Sequence, residues 1–377
     1  MKKTILSTLC LAASCFSGYA TEVDDPEPSG FFTSMLNEAV ASNMEAPSQA
    51  APAAAPAEKE MTYGRTVTDF VSAPKFGGYV IGKYDYNDKD GGHGGAGFTQ
   101  RLVRFYVDGT ILKDFAYRIQ IQTNNASFHM KDFFVEWKKY PEFKVKIGQF
   151  KRAFGFENPM NPWDISTGDY SLMTKMLTGH SDYLGCDAAS NGGRDQGIQV
   201  QGDLMPFGAD KHSLLHYQLM VSNGPGINTS DNDGKKDITG TLQIQPVKGL
   251  FLGVFGWKGT FRNATGDHSR NRYAFGMKYD KNGYCLRSEY AHGQSDLGKA
   301  DAWYVVGAAP LNDWFRVSAQ YQQYRKGKDS DNAQNVFSVI PEFQIHKNLK
   351  LQMQYNYNTI GSDVKYNEFW VETYFRF

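Results

Sequence analysis

The stretch LKLQMQYNYN, residues 349–358, alternates without a break. Leu349, Leu351, Met353, Tyr355 and Tyr357 are apolar or aromatic, whereas Lys350, Gln352, Gln354, Asn356 and Asn358 are polar. Successive side chains of a β-strand point to opposite sides of the sheet, so this is a strand with two unlike faces. Two settings fit. A soluble sandwich turns the polar face to bulk water. A membrane barrel turns the apolar face to lipid and the polar face to a wet interior. The rest of the chain decides between them.

The chain has 377 residues, 14% of them aromatic and 38 of them glycine, which suits many strands joined by turns. Residues 1–20 read as a secretory signal: Lys2 and Lys3, the apolar run ILSTLCLAASCF, and small residues at Gly18 and Ala20 before Thr21. Cys15 after LAAS offers a looser match to a lipoprotein acylation site. Beyond the signal stand Cys186 and Cys285, too few for a disulfide framework, and nothing in the sequence demands that they pair. Forty basic residues balance forty acidic ones. That neutrality speaks against a nucleic-acid partner, which needs a basic face. No segment after the signal is apolar for the eighteen or so residues of a membrane helix, so an integral membrane protein built from this chain must be a closed barrel.

Residues 21–75 form a separate tail. It holds the Pro/Ala tract EAPSQAAPAAAPAEKE, an extended linker, preceded by GFFTSMLNEAVASNM, which has the pattern of a short amphipathic helix. From residue 76 to 377, strand-like segments of roughly ten residues recur, about sixteen in all. Their connections fall into two sets. GTILKD, KKYP, MPFGADK, PVKG, DKNG, PLND and HKN are short turns. Residues 87–97, 150–194, 223–236, 261–268, 292–300, 324–334 and 359–365 read as longer polar loops, with only TNNA (123–126) short among them. Such alternation is the layout of an up-and-down barrel. A Greek-key sandwich has no reason for it. The chain also ends on an alternating strand with a terminal Phe377. The expected fold is therefore all-β: a 16-stranded antiparallel up-and-down transmembrane β-barrel whose interior is an aqueous channel.

Three segments carry a resemblance. GFTQRLVRFYVDGTILKDFAYRIQIQ, KDFFVEWKKYPEFKVKIGQFKRAFGFEN and GRDQGIQVQGDL resemble consecutive strands of the phosphate-selective porin O/P family, mainly within residues 76–205. Membership implies an outer-membrane homotrimer reached through the periplasm, with the third outside loop, here 150–194, folded into the lumen. The function expected is passive diffusion of small hydrophilic solutes, with an anion or phosphate preference. The other reading is an outer-membrane adhesin or structural barrel that binds partners through its loops. Outer-membrane lipid is then the surrounding partner.

Selectivity in such a channel resides in charged side chains at the constriction. Crowded near the third loop are Lys144, Lys146, Lys151, Arg152, Lys175 and Arg194. Arg104, Arg118, Arg272, Arg287, Arg316 and Lys350 line the pore by alternation, the five arginines as part of a ladder of the kind the resemblance implies. A dehydrating phosphate needs such donors and such positive potential. The competing expectation is that these charges pair with inward acids such as Asp108, Asp132, Glu136, Asp203 and Glu342 and merely wet the wall. No cofactor and no metal is expected. NTSDNDGKK (228–236) lacks the closing Glu of a Ca²⁺ loop, and His180, His212, His216 and His292 show no ligand spacing. No Ser/His pair is spaced for catalysis, so an enzyme is not expected.

Overall fold

A computed structural model describes residues 61–62, 65–66, 72–89, 96–124, 127–180, 192–263, 265–327 and 333–377. The chain divides into two compact units, Met1–Pro56 and Ala57–Phe377. The signal, the amphipathic segment and the Pro/Ala tract lie outside the described residues, as does Cys186. Cys285 is a free, buried thiol.

Among the described residues are eighteen strands and one short helix. β1 (Met61–Thr62) and β2 (Arg65–Thr66) pair only with each other. The others are β3 (Lys75–Asn87), β4 (Ala96–Ile111), β5 (Phe115–Asn124), β6 (Ser127–Tyr140), β7 (Phe143–Lys151), β8 (Arg194–Phe207), β9 (His212–Ser222) and β10 (Asp237–Val247). They continue as β11 (Leu250–Asn263), β12 (Gly266–Lys281), β13 (Tyr284–Ser295), β14 (Gly298–Pro310), β15 (Phe315–Lys326), β16 (Gln334–His346), β17 (Leu349–Ile360) and β18 (Val364–Arg376). Each of these sixteen pairs antiparallel with its sequence neighbours, and β18 pairs β3 to close the barrel. The helix, α1 (Leu172–Leu177), is capped by Ser171, whose side chain accepts from the Thr174 amide.

β17 is the stretch quoted first. Lys350, Gln352, Gln354, Asn356 and Asn358 point inward, and Tyr355 and Tyr357 are exposed on the outside. The same division runs round the wall: Phe275, Val254, Leu242, Ile198, Ile147 and Phe133 stand outside. A sheet whose exposed face is greasy and whose concealed face is polar is inverted relative to a soluble sandwich, and closure leaves no edge.

Two expectations need correcting. The first concerns the loops. Connections at 261–268, 292–300 and 359–365 shrink to 264–265, 296–297 and 361–363, because the strands run on: Asn263 still faces Gly266, and Ser295 faces Gly298. Backbone pairing does not need apolar side chains, so polar strand ends continue the ladder. Gly266, at φ 126°, supplies the turn geometry.

The second concerns the interior, which was expected to be wet throughout. On one side it is a packed core. Phe154, Phe156, Leu172, Met173 and Leu177 of the segment after β7 fill a space left by inward Ala274, Ala291, Ala300 and Ala302 and bounded by Phe255, Trp257 and Tyr304. Small residues on the wall make room for large ones on the loop. Lys350, Gln352 and Gln354 therefore face inward but are covered, at 4%, 1% and 4% exposure.

Candidate functional site

β7 ends at Lys151 and β8 begins at Arg194, and these two residues are direct partners across the sheet. The intervening loop thus leaves and returns through one neck. Just inside it, Arg152 donates to Asp195 at 2.9 Å and to the Gly224 carbonyl at 3.1 Å, with both side chains fully buried. Asn158 donates to the carbonyls of Arg152 and Gly193, tying the two ends together.

From the neck the loop runs against inward-facing side chains of the wall. Glu289 accepts from the amides of Phe156 (2.6 Å) and Glu157 (3.0 Å). Gln354 accepts from the Gly168 amide at 2.7 Å, and Gln322 from the Leu172 amide at 2.7 Å. Lys350 donates to the Trp163 carbonyl at 2.7 Å, and Arg272 to the Leu177 carbonyl at 2.8 Å. A loop buried in this way must have its peptide groups satisfied, and polar wall side chains take the place of water.

Eight of the twelve cations selected from sequence are in ion pairs. The pairs are Lys144–Asp203, Lys146–Glu136, Arg152–Asp195, Lys175–Asp169, Arg194–Asp132, Arg118–Asp108, Arg287–Glu157 and Lys350–Glu342. Arg316 donates to Ser166 at 2.7 Å. Nor do the five arginines form one row. Arg104 and Arg118 lie on β4 and β5, eight strands round the barrel from Arg272 and Arg287 on β12 and β13. The latter two are roofed by the loop, and Arg272 stacks on Trp257 together with Arg152 and Arg270, each within 5 Å of the ring centroid.

At the neck the balance is different. Arg194 grips Asp132 with two bonds of 2.8 and 2.9 Å. Arg104 donates to Tyr79 (2.7 Å) and Gln122 (2.8 Å), and Lys151 to the Met160 carbonyl and, at 2.8 Å, to Tyr170; neither meets a carboxylate. Lys131 joins them; its carbonyl accepts from Gln149 at 3.0 Å, but its ammonium has no hydrogen-bond or ion-pair partner among the described residues. A methyl group added at Gly192 would lie 3.3 Å from Arg194 Nη1 and 3.6 Å from Lys131 Nζ, so the two cations converge on that point. Lys151 lies within Coulomb range of Arg104, Arg194 and Lys131. Four cations thus share one directly bound carboxylate, Asp132. His180 hydrogen-bonds Asn158 and packs on Tyr170. Burial, with Lys151 and Arg194 nearby, holds its pKa well below the ordinary value, so it adds no charge at neutral pH.

Alternation misses Lys131 for a physical reason. Gln120 pairs with Asp132 and Ile121 with Met130, leaving Lys131 as the extra residue of a β-bulge. Arg101 is the extra residue of a second bulge, between Gln100 and Leu102, and reaches inward to Glu372 at 3.1 Å and Asp169 at 3.0 Å. A bulge sets two consecutive side chains on one face and so re-aims a cation that strict alternation would send to lipid. The single inward cation in each of QRL and MKD gives no signal in sequence short of the pairing itself.

The model of the family "phosphate-selective porin O and P" matches residues 78–248. The match takes in the neck, the loop and all four of its cations. Among solved structures, an anion-selective porin from Comamonas acidovorans is 15% identical, with 81% of this chain and 99% of that one aligned and a TM-score of 0.63. OmpF of Salmonella typhi, in complex with daunomycin, is 14% identical over 82% and 99%, at 0.62. OmpT of Vibrio cholerae, in its trimer form, is 13% identical over 81% and 99%, at 0.55. At such identities these likenesses show the fold, a porin barrel. No curated protein sequence matches the chain. With the family match on the segment that builds its lumen, the chain is an outer-membrane porin.

Proposed function

We propose that this porin lets small hydrophilic solutes diffuse passively and prefers anions, phosphate among them. The observation that carries the preference is the neck cluster: Lys131, Lys151, Arg104 and Arg194 against Asp132 alone. Cations beside low-dielectric walls focus positive potential and supply donors to an anion that sheds part of its hydration shell. The first structural neighbour named above is an anion-selective porin by its description, which agrees with this reading.

The finer features belong to the same proposal. Residues 1–20 direct export and are removed, residues 21–75 remain as a periplasmic tail, and three copies assemble, as the trimeric form of OmpT does. The selective groups are taken to be Lys151 and Arg194 from the constriction set and Arg104 from the lining set, with Lys131 added. The remaining cations hold the loop or pair along the wall.

The test is a reversal potential. Purified protein in a planar bilayer under a tenfold KCl gradient should give the sign of chloride preference, and phosphate added on one side should reduce the chloride current. Cation preference would overturn the proposal.

A further inference from the structure

An inward cavity of about 160 Å³ lies between α1 and strands β15 to β18, toward the end with the longer connections. Sheet register builds its wall from two adjacent cross-strand rows. One runs Gln320, Ser338, Asn356, Glu368; the other runs Gln322, Val336, Asn358, Tyr366. Gln334 and Trp370 join them, and Asp169, Tyr170, Leu172 and Lys175 face them from the loop and α1. The surface is therefore rich in carboxamide, with three aromatic rings.

The amides are already ordered. Gln354 donates to Asn356 at 2.7 Å, Ser338 donates to the same oxygen at 2.6 Å, and Asn356 and Asn358 both donate to Glu368, at 3.3 and 3.1 Å. One donor is left over. Gln320 is 2% exposed, and its Nε2 has no hydrogen-bond partner among the described residues. A buried amide left unpaired costs roughly 1–3 kcal/mol, so such a group next to a cavity marks a place where a ligand acceptor belongs.

The lining selects the ligand class. Lys175 pairs with Asp169 at 2.7 Å, Glu368 is engaged by Asn356 and Asn358, and Lys83 and Lys89 stand over the Trp370 and Tyr366 rings, so no single sign of charge dominates. An ion of either sign finds no selective hold here. A neutral solute rich in hydroxyl groups fits: each hydroxyl both donates and accepts, as each carboxamide does. We infer that this cavity is a subsite for a neutral polyhydroxylated solute of monosaccharide size, adjoining the basic neck at Tyr170. The inference rests on the porin reading and adds a second class of permeant to it.

The experiment adds D-glucose to one side of a planar bilayer carrying the full-length porin in KCl, with tetraethylene glycol, a polyether of similar mass, as the comparison. Glucose should reduce the ionic current saturably, whereas the polyether should reduce it only in proportion to concentration. Gln320→Leu removes the free donor and should raise the half-saturating glucose concentration about fivefold. Gln320→Glu keeps the size and loses the donor, and it should raise that concentration too, so the test survives if one variant does not fold. Equal, unsaturable effects of the two solutes, or Gln320 variants that saturate as wild type does, would overturn the inference while leaving the porin reading intact. Absence of any KCl current would overturn both.

Discussion

Arg287 on the barrel wall and Glu157 on the inward loop form an ion pair of 3.0 Å in which both side chains are fully buried. Neither is alone. Arg287 also donates to Tyr304 at 2.8 Å, Tyr304 donates to Glu289, and Glu157 accepts from the amide and hydroxyl of Ser171 and from Thr174. The network joins β13, β14 and α1, and it fixes the loop against the wall rather than presenting charge to a permeating ion.

Removing one partner should therefore be costly. Arg287→Met strands the Glu157 carboxylate in a dry setting, a loss of about 3–5 kcal/mol for a buried pair broken on one side. The expected readouts are a lower thermal midpoint in detergent and a noisier single-channel current as the loop detaches. Arg287→Met combined with Glu157→Gln should recover part of the loss, because the double variant leaves no uncompensated charge.

The loop's return strand makes a backbone prediction. Gly193 has φ of +67°, and a methyl group there would sit 1.9 Å from Asn158 Oδ1, the residue that ties the neck. Gly193→Ala should cost about 1–3 kcal/mol and loosen the neck, read as a lower thermal midpoint. Gly256→Ala on the outer wall, where such a methyl group meets nothing within 4 Å, should be close to neutral by comparison.

Unpaired and paired cations should differ in their effect on selectivity. A unit charge about 5 Å from a permeating anion is worth ~0.8 kcal/mol in water, about fourfold in local anion concentration. Lys131→Gln should lower the anion-to-cation permeability ratio by roughly that factor, and Lys131→Glu by more. Lys146→Gln removes a cation already held by Glu136 at 3.4 Å and should change the ratio less. Reversal potentials of the three variants check the order.

The barrel itself was legible in sequence, because lipid outside and polar groups inside impose a period of two on every strand. Residues 349–358 and 367–377 declare it by themselves. The neck was partly legible, since Lys151 and Arg194 bracket the long loop. Lys131 and Arg101 were hidden because a bulge shifts the phase by one residue and leaves composition unchanged. The dry side of the lumen was hidden too: Ala274, Ala291, Ala300 and Ala302 read as unremarkable small residues until Phe154, Phe156 and Met173 are seen to occupy the space beside them. Which inward charges are exposed depends on contacts between residues more than a hundred apart, such as Glu157 with Arg287, and no local pattern records those.

Acid should weaken the loop's attachment. Burial pushes the Asp169 carboxyl up, but Lys175 and Arg101 outweigh it and hold it well below the usual range. Its contribution is present above the unfolded carboxylate value, near 3.9, and is lost as pH falls through the lower folded value. His180 is held neutral in the fold, chiefly by burial. The unfolded imidazole takes up a proton near 6.5, so stability also declines as pH falls below about 6.5. Thermal midpoints should drop steadily from pH 7 toward pH 3, and His180→Gln should flatten the part between pH 6.5 and 5. A midpoint that rises over that range would contradict the assignment.

The most direct test of the account is the single-channel record of the purified full-length protein in a planar bilayer containing KCl. A hollow sixteen-stranded barrel with a basic neck predicts discrete conductance steps that reverse on the chloride side of a salt gradient. Material that inserts and passes no current, or that stays dissolved without detergent, would contradict it.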